Sequence, residues 1–302
     1  MADENEPDLF AGARQPPPRG ASRLSPLVRR LVAPNASPLT FNGTCTYIVG
    51  KGEVAVIDPG PNEASHLEAI LAATAGERIA AILVTHTHRD HSSLGSRLCE
   101  RTGARVVGAA PFVPQGDGVE GLDSAHDRNY APDRALGDGE RYVGRGFTLE
   151  VVATPGHCSN HLCFALIEER ALFSGDHVMA WSTSVVVPPD GSMGAYIASL
   201  ERLRARDDRI FWPGHGGPVA EPQRYARALI HHRRQREASI LAALADGPET
   251  VKGVAAKVYV GLDPKLMRAA AMSTLAHLED LCERDLVAAE TSEEGETRFR
   301  RA

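Results

Sequence analysis

Four times along this chain a short apolar run stops at a small or glycine residue and hands over to a histidine or an aspartate. The run Ile79-Ala80-Ala81-Ile82-Leu83-Val84 leads through Thr85 into His86-Thr87-His88-Arg89-Asp90-His91. Thr154-Pro155-Gly156-His157, Phe173-Ser174-Gly175-Asp176 and Trp212-Pro213-Gly214-His215 repeat the design. Histidine is a poor filler for the end of a buried strand, whereas strand ends along one edge of a sheet converge in space. Glycine before the polar residue lets the backbone turn sharply and expose the side chain. His86 and His88 are one residue apart, so in an extended segment both imidazoles point to the same side and can reach one metal ion. Asp90 and His91, at the turn into a helix, aim at a second point nearby. Imidazole nitrogen and carboxylate oxygen are the donors that zinc takes. One histidine after a strand is ordinarily a surface or hydrogen-bonded residue, and Asp176 alone would be a helix cap. Seven ligand-type residues at four successive strand ends need another explanation. His66, His126, His231, His232 and His277 show no such pattern and are read as ordinary structural or surface histidines.

The order of elements gives these tips a scaffold. Residues 44–49 and 53–57 read as two strands joined by Gly50-Lys51-Gly52, and Asp58-Pro59-Gly60-Pro61 stops the second. Residues 63–75 have helical spacing, with Leu67, Ile70 and Leu71 on one face. A helix over 92–102 and a strand at 105–107 follow, and a second strand-rich block opens at Phe147. A ββαβαβ pattern thus appears twice, which predicts two mixed sheets face to face with helices outside, an αββα sandwich. From Glu221 a long helix runs to about Ala245; two more helices and a hairpin around Glu293-Glu294-Gly295-Glu296 then give the order of a winged helix. The expected organisation is a disordered tail over 1–25, a catalytic domain over 26–233 and a small winged-helix domain over 234–302.

With 302 residues the chain exceeds the usual size of one domain, and 43% hydrophobic residues suffice for a packed core. A net charge of -6 argues against gripping nucleic acid by overall charge. The acidic, then proline-rich start lacks the layout of a secretory signal, and no apolar run is long enough to span a bilayer. Five scattered cysteines contain no CxxC pair, so neither a disulfide framework nor a cysteine zinc knuckle is expected. A cytoplasmic location without membrane contact follows as the expectation.

His86-Thr87-His88-Arg89-Asp90-His91 followed by His157, Asp176 and His215 resembles the metallo-β-lactamase superfamily over about residues 35–230. The resemblance implies the αββα sandwich and a pair of zinc ions, with manganese or iron as alternatives. It places His86, His88 and His157 on the first metal, and Asp90, His91 and His215 on the second. Asp176 would bridge the two, and a metal-bridging hydroxide would be the nucleophile. Asp176 and Asp90 would be the catalytic carboxylates, and His161 is considered as a leaving-group acid, although an ordinary strand-start histidine is the commoner reading. An aspartate at the bridging place resembles glyoxalase II and ribonuclease Z rather than true β-lactamases. Residues 43–50, Pro213-Gly214-His215-Gly216 and the winged helix are similar to the β-lactamase-like protein 2 group, which includes endoribonucleases acting on single-stranded RNA. Cys45 stands where that group often has asparagine.

That resemblance makes single-stranded RNA the expected substrate, with a thioester, lactone or other small ester as the alternative. RNA cleavage needs basic groups along a groove, and Arg89, Arg128, Arg224, Arg227, Arg233 and Arg234 are the candidates. A ligand-sensing DNA-binding regulator is disfavoured: the supposed recognition helix offers only Lys265 and Arg268, and the wing tip is acidic, with Arg298, Arg300 and Arg301 a partial offset. An accessory or homodimer-forming role suits this domain better.

Overall fold

The computed structural model describes residues 20–114, 125–293 and 295–302. Most of the expected tail, Glu294 of the wing turn and the side chain of Lys265 lie outside the described residues. The chain forms two compact units. The first takes the residues up to Thr154, Asn160–Ser184 and Arg206–Tyr225; the second takes Pro155–Ser159, Val185–Ala205 and Ala226–Ala302. The sequence reading draws a single cut between residues 233 and 234.

In the first unit seven strands form one sheet in chain order: β1 (Ser22–Arg23), β2 (Val28–Val32), β3 (Cys45–Lys51), β4 (Glu53–Ile57), β5 (Arg78–Val84), β6 (Arg105–Gly108) and β7 (Arg134–Ala135). β1 to β4 pair antiparallel, and β4 to β7 pair parallel. Parallel neighbours need crossovers: α1 (Ala64–Ala73) supplies the one from β4 to β5, and α2 (Arg89–Ser92) with α3 (Gly95–Thr102) the one from β5 to β6. Side chains alternate between faces. Ile48, Val54, Val56, Ile82 and Val84 pack under Leu67 and Ile70 of α1 and Leu98 of α3. Tyr47, Val49, Ala55, Ile57, Ala81 and Leu83 face the other way, into the space between the sheets. Burying each of the larger of these side chains stabilises the fold by roughly 1.5–3 kcal/mol.

The second sheet has the order β12-β11-β10-β9-β8, with β8 (Arg141–Gly144), β9 (Phe147–Ala153), β10 (Leu162–Leu166), β11 (Ala171–Gly175) and β12 (Ile210–Pro213). Phe147, Leu149, Val151, Phe164, Leu166, Phe173 and Trp212 complete the inter-sheet core. β8 to β11 form an antiparallel meander and only β11–β12 is parallel, so the second block is not a copy of the first. The repeat read from the sequence is corrected in this respect. Strand hydrophobicity was legible, but β8 is four residues long, exposes Val143 and carried no clear signal.

The second unit contains α4 (Met193–Arg204) and most of α5 (Pro222–Ala243). It ends in a winged helix made of β13 (Glu249–Thr250), α6 (Val251–Val258), α7 (Met267–Glu283), β14 (Val287–Thr291) and β15 (Thr297–Arg301). Thr250 caps α6 by accepting from the Gly253 N–H at 3.1 Å. Ile240, Leu244, Val254, Leu278, Leu281, Val287 and Phe299 form its core. All five cysteines are free, and no helix among the described residues is long and apolar enough to cross a membrane.

Candidate metal centre

Six of the seven sequence-derived residues lie in the first unit, at the carboxyl ends of parallel strands. His86 and His88 follow β5, Asp90 and His91 lie in α2, Asp176 follows β11 and His215 follows β12. Four of their atoms define a small polyhedron. His91 Nε2 lies 3.3 Å from His215 Nε2, 3.5 Å from Asp90 Oδ2 and 3.3 Å from Asp176 Oδ1. His215 Nε2 lies 3.2 Å from Asp90 Oδ2 and 3.4 Å from Asp176 Oδ1. Metal–nitrogen bonds of about 2.0–2.1 Å in a tetrahedron put neighbouring ligand atoms roughly 3.3 Å apart. Each of these five distances therefore matches the spacing of neighbouring ligand atoms in a zinc-sized coordination shell. Beside them, His86 Nε2 and His88 Nδ1 are 3.0 Å apart, and His86, His91 and Asp176 also come together in one group. The donor set and its spacing fit a divalent metal centre.

Gly214 permits this packing. A Cβ there would come within 2.6 Å of both Asp176 Oδ1 and His91 Cε1, so any side chain would displace one of the four atoms and the ring that carries another.

The proton arrangement behind the histidines follows from one buried carboxylate. Asp58, at φ 49° just beyond β4, is 2% exposed. Its Oδ1 accepts from the Thr85 N–H at 2.8 Å, and its Oδ2 accepts from the Thr85 hydroxyl at 2.8 Å and from His91 Nδ1 at 2.9 Å. Because Thr85 gives its one hydroxyl proton to Asp58, it accepts from His86 Nδ1 at 2.9 Å. The neutral forms of His86 and His91 thus carry their proton on Nδ1, which leaves Nε2 as the nitrogen that can offer a lone pair to a metal. The sequence reading took Asp58 only as a strand stop. Its position just past an apolar strand is the same signal that flagged Asp176 and His215.

Two more histidines were underestimated. His126 is buried, bonds Thr87 Oγ1 through Nδ1 at 2.7 Å, and its ring centroid is 4.6 Å from that of His88. His161 accepts at Nε2 from the Asp176 N–H at 3.1 Å and pairs with Thr154 Oγ1 through Nδ1 at 2.8 Å. Both of its nitrogens are committed to holding the scaffold, which overturns the leaving-group-acid idea and makes it a positioning residue for Asp176. His66 is as ordinary as expected: it is buried, and Nε2 meets Thr46 Oγ1 at 2.8 Å.

Electrostatics inside the first unit are strongly polarised. Burial pushes His91 down, but Asp176, Asp90 and Asp58 outweigh it and raise it well above the ordinary histidine value. Burial likewise lowers His215, but Asp176 and Asp90 lift it to about 9. Burial would raise Asp176, yet His215 and His91 hold it well below the usual carboxylate range. Asp90 is lowered in the same way by His91 and His215 against burial. His86 goes the other way: burial and the neighbouring His91, His88 and His161 keep it well below the ordinary value.

His157, the seventh residue, belongs to the second unit, where Nδ1 donates to the Val185 carbonyl at 2.6 Å. That bond selects the tautomer whose lone pair is on Nε2. The turn carrying it is anchored there by the Ser192 N–H to the Gly156 carbonyl at 2.9 Å and by the Ser199 hydroxyl to the Pro155 carbonyl at 2.8 Å.

Comparison with known proteins gives this geometry a context. Residues 39–215 match the sequence pattern described as the metallo-beta-lactamase superfamily, and residues 250–296 match the beta-lactamase associated winged helix domain. The chain is 33% identical over 231 residues to an atrochrysone carboxyl ACP thioesterase from Aspergillus fumigatus; the match covers 73% of this chain and 66% of that relative. It thus spans a little under two thirds of that relative's length. It is 29% identical to the beta-lactamase-like protein 2 homolog of Caenorhabditis elegans over 88% of this chain and 87% of that one. Among solved structures, a metallo-beta-lactamase family protein from Thermus thermophilus superposes with a TM-score of 0.76 at 27% identity, covering 93% of this chain and 100% of its own. A beta-lactamase domain protein from Burkholderia ambifaria gives a TM-score of 0.80 at 23% identity over 93% of each chain, a likeness of fold.

Proposed function

Because the chain belongs to the metallo-β-lactamase superfamily, with its αββα sandwich and associated winged helix, and carries the metal-ligand clusters of a metal-dependent hydrolase, we propose that it cleaves a thioester or a similar small ester at a binuclear zinc centre. His86, His88 and His157 are assigned to one metal, Asp90, His91 and His215 to the other, and Asp176 to both. A divalent metal pair supplies Lewis acidity and lowers the pKa of bound water towards about 7. The chain's own part is to present lone pairs and charge. Asp58, directly to His91 and through Thr85 to His86, holds one ring proton of each imidazole on Nδ1, so that Nε2 is the nitrogen that can be given up to a metal. Asp90 and Asp176 stay ionised through neutral pH and offer the oxygens that orient the attacking water. His161 and Gly214 keep Asp176 in place.

The observation that carries the ester reading over RNA is the fate of the basic groups. Arg224 pairs with Glu221 at 2.9 Å and Arg234 with Glu201 at 3.4 Å, while Arg233 is buried with its guanidinium 5.1 Å from the centre of the Tyr196 ring. On the wing, Arg298 pairs with Glu296 and Arg300 with Glu290. Of the six supposed phosphate-binding arginines half are thus engaged within the protein, and the other three, Arg89, Arg128 and Arg227, are exposed with no ion pair among the described residues. The thioesterase relative adds weight in the same direction. Turnover of thioesters and lactones against labelled single-stranded RNA, after chelation and zinc repletion, tests this. The expected result is ester hydrolysis that disappears with chelator, returns with zinc and varies little with salt. RNA cleavage that falls steeply with salt, with every ester left intact, would refute it.

A further inference from the structure

Next to the metal ligands is a pair of aromatic rings that the chemistry above does not use. Phe41 and Trp181 stack with ring centroids 5.0 Å apart and planes inclined by 11°. Both are half-buried, so part of the pair faces solvent. Each ring is tied to His215 by a short route. Phe41 is two residues before Gly43, whose carbonyl is 3.4 Å from His215 Nδ1. Trp181 lies against Gly216, the residue after His215: a Cβ on Gly216 would come within 2.9 Å of Trp181 Cδ1.

Two details separate this pair from ordinary core packing. Phe41 has φ 54°, a left-handed conformation that is uncommon for a bulky residue and that the surrounding loop must impose. Trp181 keeps its indole N–H buried, with no hydrogen-bond partner among the described residues. The part of the indole that reaches the surface is therefore carbon. Leu39, two residues before Phe41 in the chain, is a further apolar side chain, 69% exposed.

We propose that Phe41 and Trp181 form a platform that seats a flat, apolar acyl group of the substrate beside His215, making the enzyme selective for aromatic over short acyl chains. The proposal rests on the ester-hydrolase reading and adds the substrate class. A carbon-rich π surface attracts another flat ring through offset stacking and burial of apolar area, and gains nothing from a methyl group of acetyl size.

The test compares two thioesters that share one leaving group, N-acetylcysteamine, and differ only in the acyl part: 2-naphthoyl and acetyl. The zinc-loaded full-length chain should prefer the naphthoyl ester in kcat/KM. Phe41→Leu and Trp181→Leu should each lower the naphthoyl-to-acetyl ratio of kcat/KM by tenfold or more. In the metal-free protein, 2-naphthoate should quench tryptophan fluorescence, and Trp181→Phe should abolish the quenching although Trp212 remains. A purely structural role for the rings would lower the melting temperature and reduce turnover of both esters equally, leaving the ratio unchanged and overturning the proposal. If the parent hydrolyses acetyl but does not favour naphthoyl, the platform idea falls while the hydrolase reading stands. If neither thioester is turned over, the ester reading falls, and absence of naphthoate quenching would overturn the platform separately.

Discussion

Asp58 touches no substrate and is assigned to no metal, yet the structure makes it the residue on which two metal ligands depend. Asp58→Asn is the informative substitution. Asparagine is nearly isosteric and tolerates positive φ as well as aspartate does, so the backbone at φ 49° has no reason to move. The amide oxygen can still accept from the Thr85 N–H, now made at 2.8 Å. The amide nitrogen, however, replaces Oδ2, which accepts from the Thr85 hydroxyl and from His91 Nδ1. A donor would then face two donors. Relief comes only if Thr85 reverses its hydroxyl and His91 moves its proton to Nε2; a reversed Thr85 would in turn favour the Nε2–H form of His86. Both rings would present a proton where each needs a lone pair.

Losing such a supporting partner typically weakens metal affinity about 10–100-fold, or roughly 1.4–2.7 kcal/mol. Here the loss should reach both metals, because His86 is assigned to one and His91 to the other. Competition against a chromophoric zinc chelator measures the two affinities, and circular dichroism checks that the variant is folded. A folded Asp58→Asn protein that binds both zinc ions with parental affinity would refute the proton arrangement derived above.

Three further outcomes are expected. His91 and His215 have values above the ordinary histidine value, His215 at about 9, so the metal-free protein holds a proton on each at neutral pH. Zinc must displace these protons, so affinity should rise with pH by up to about a hundredfold per unit below pH 9; affinities equal at pH 6 and pH 8 would contradict this. Gly214→Ala should cut kcat/KM by a hundredfold or more and lower zinc content, since the new methyl would sit 2.6 Å from Asp176 Oδ1; parental zinc content by elemental analysis would contradict it. His277 is fully buried in α7, its ring nitrogens have no hydrogen-bond partner among the described residues, and burial, with Arg233, Arg236, His232 and Arg284 adding to it, lowers it to about 3. A depressed histidine is neutral when folded and charges when unfolded, so its contribution is intact above about pH 6.5 and is lost as pH falls towards 3. Between pH 6.5 and 5 the loss is about 1.6 kcal/mol, and His277→Leu should flatten urea-unfolding stability over that range by this amount. An unchanged slope would contradict it.

What the sequence could and could not show follows from how each signal is encoded. Metal ligands need several polar donors to converge, and strand ends are where a sheet brings distant segments together, so the pattern of apolar run, small or glycine residue and donor was readable at His86, Asp176 and His215. Asp58 also ends an apolar run, but without the intervening small residue and within Asp-Pro-Gly-Pro, and an aspartate that caps a turn looks the same in sequence as one that fixes a tautomer. His161 posed the opposite problem. Only the 3.1 Å contact to the Asp176 N–H shows that its nitrogen is taken. β2 was missed because Arg29 and Arg30 break its apolar run. In the fold those two heads reach Glu77 at 2.6 Å and the Gly216 carbonyl at 3.1 Å. Gly216 is also where Trp181 rests, so Arg30 and the aromatic pair hold one backbone segment from two directions. The strand that was least visible in the sequence therefore helps to set the position of His215, and tolerance of substitution at Arg30 should track zinc affinity more closely than it tracks folding stability.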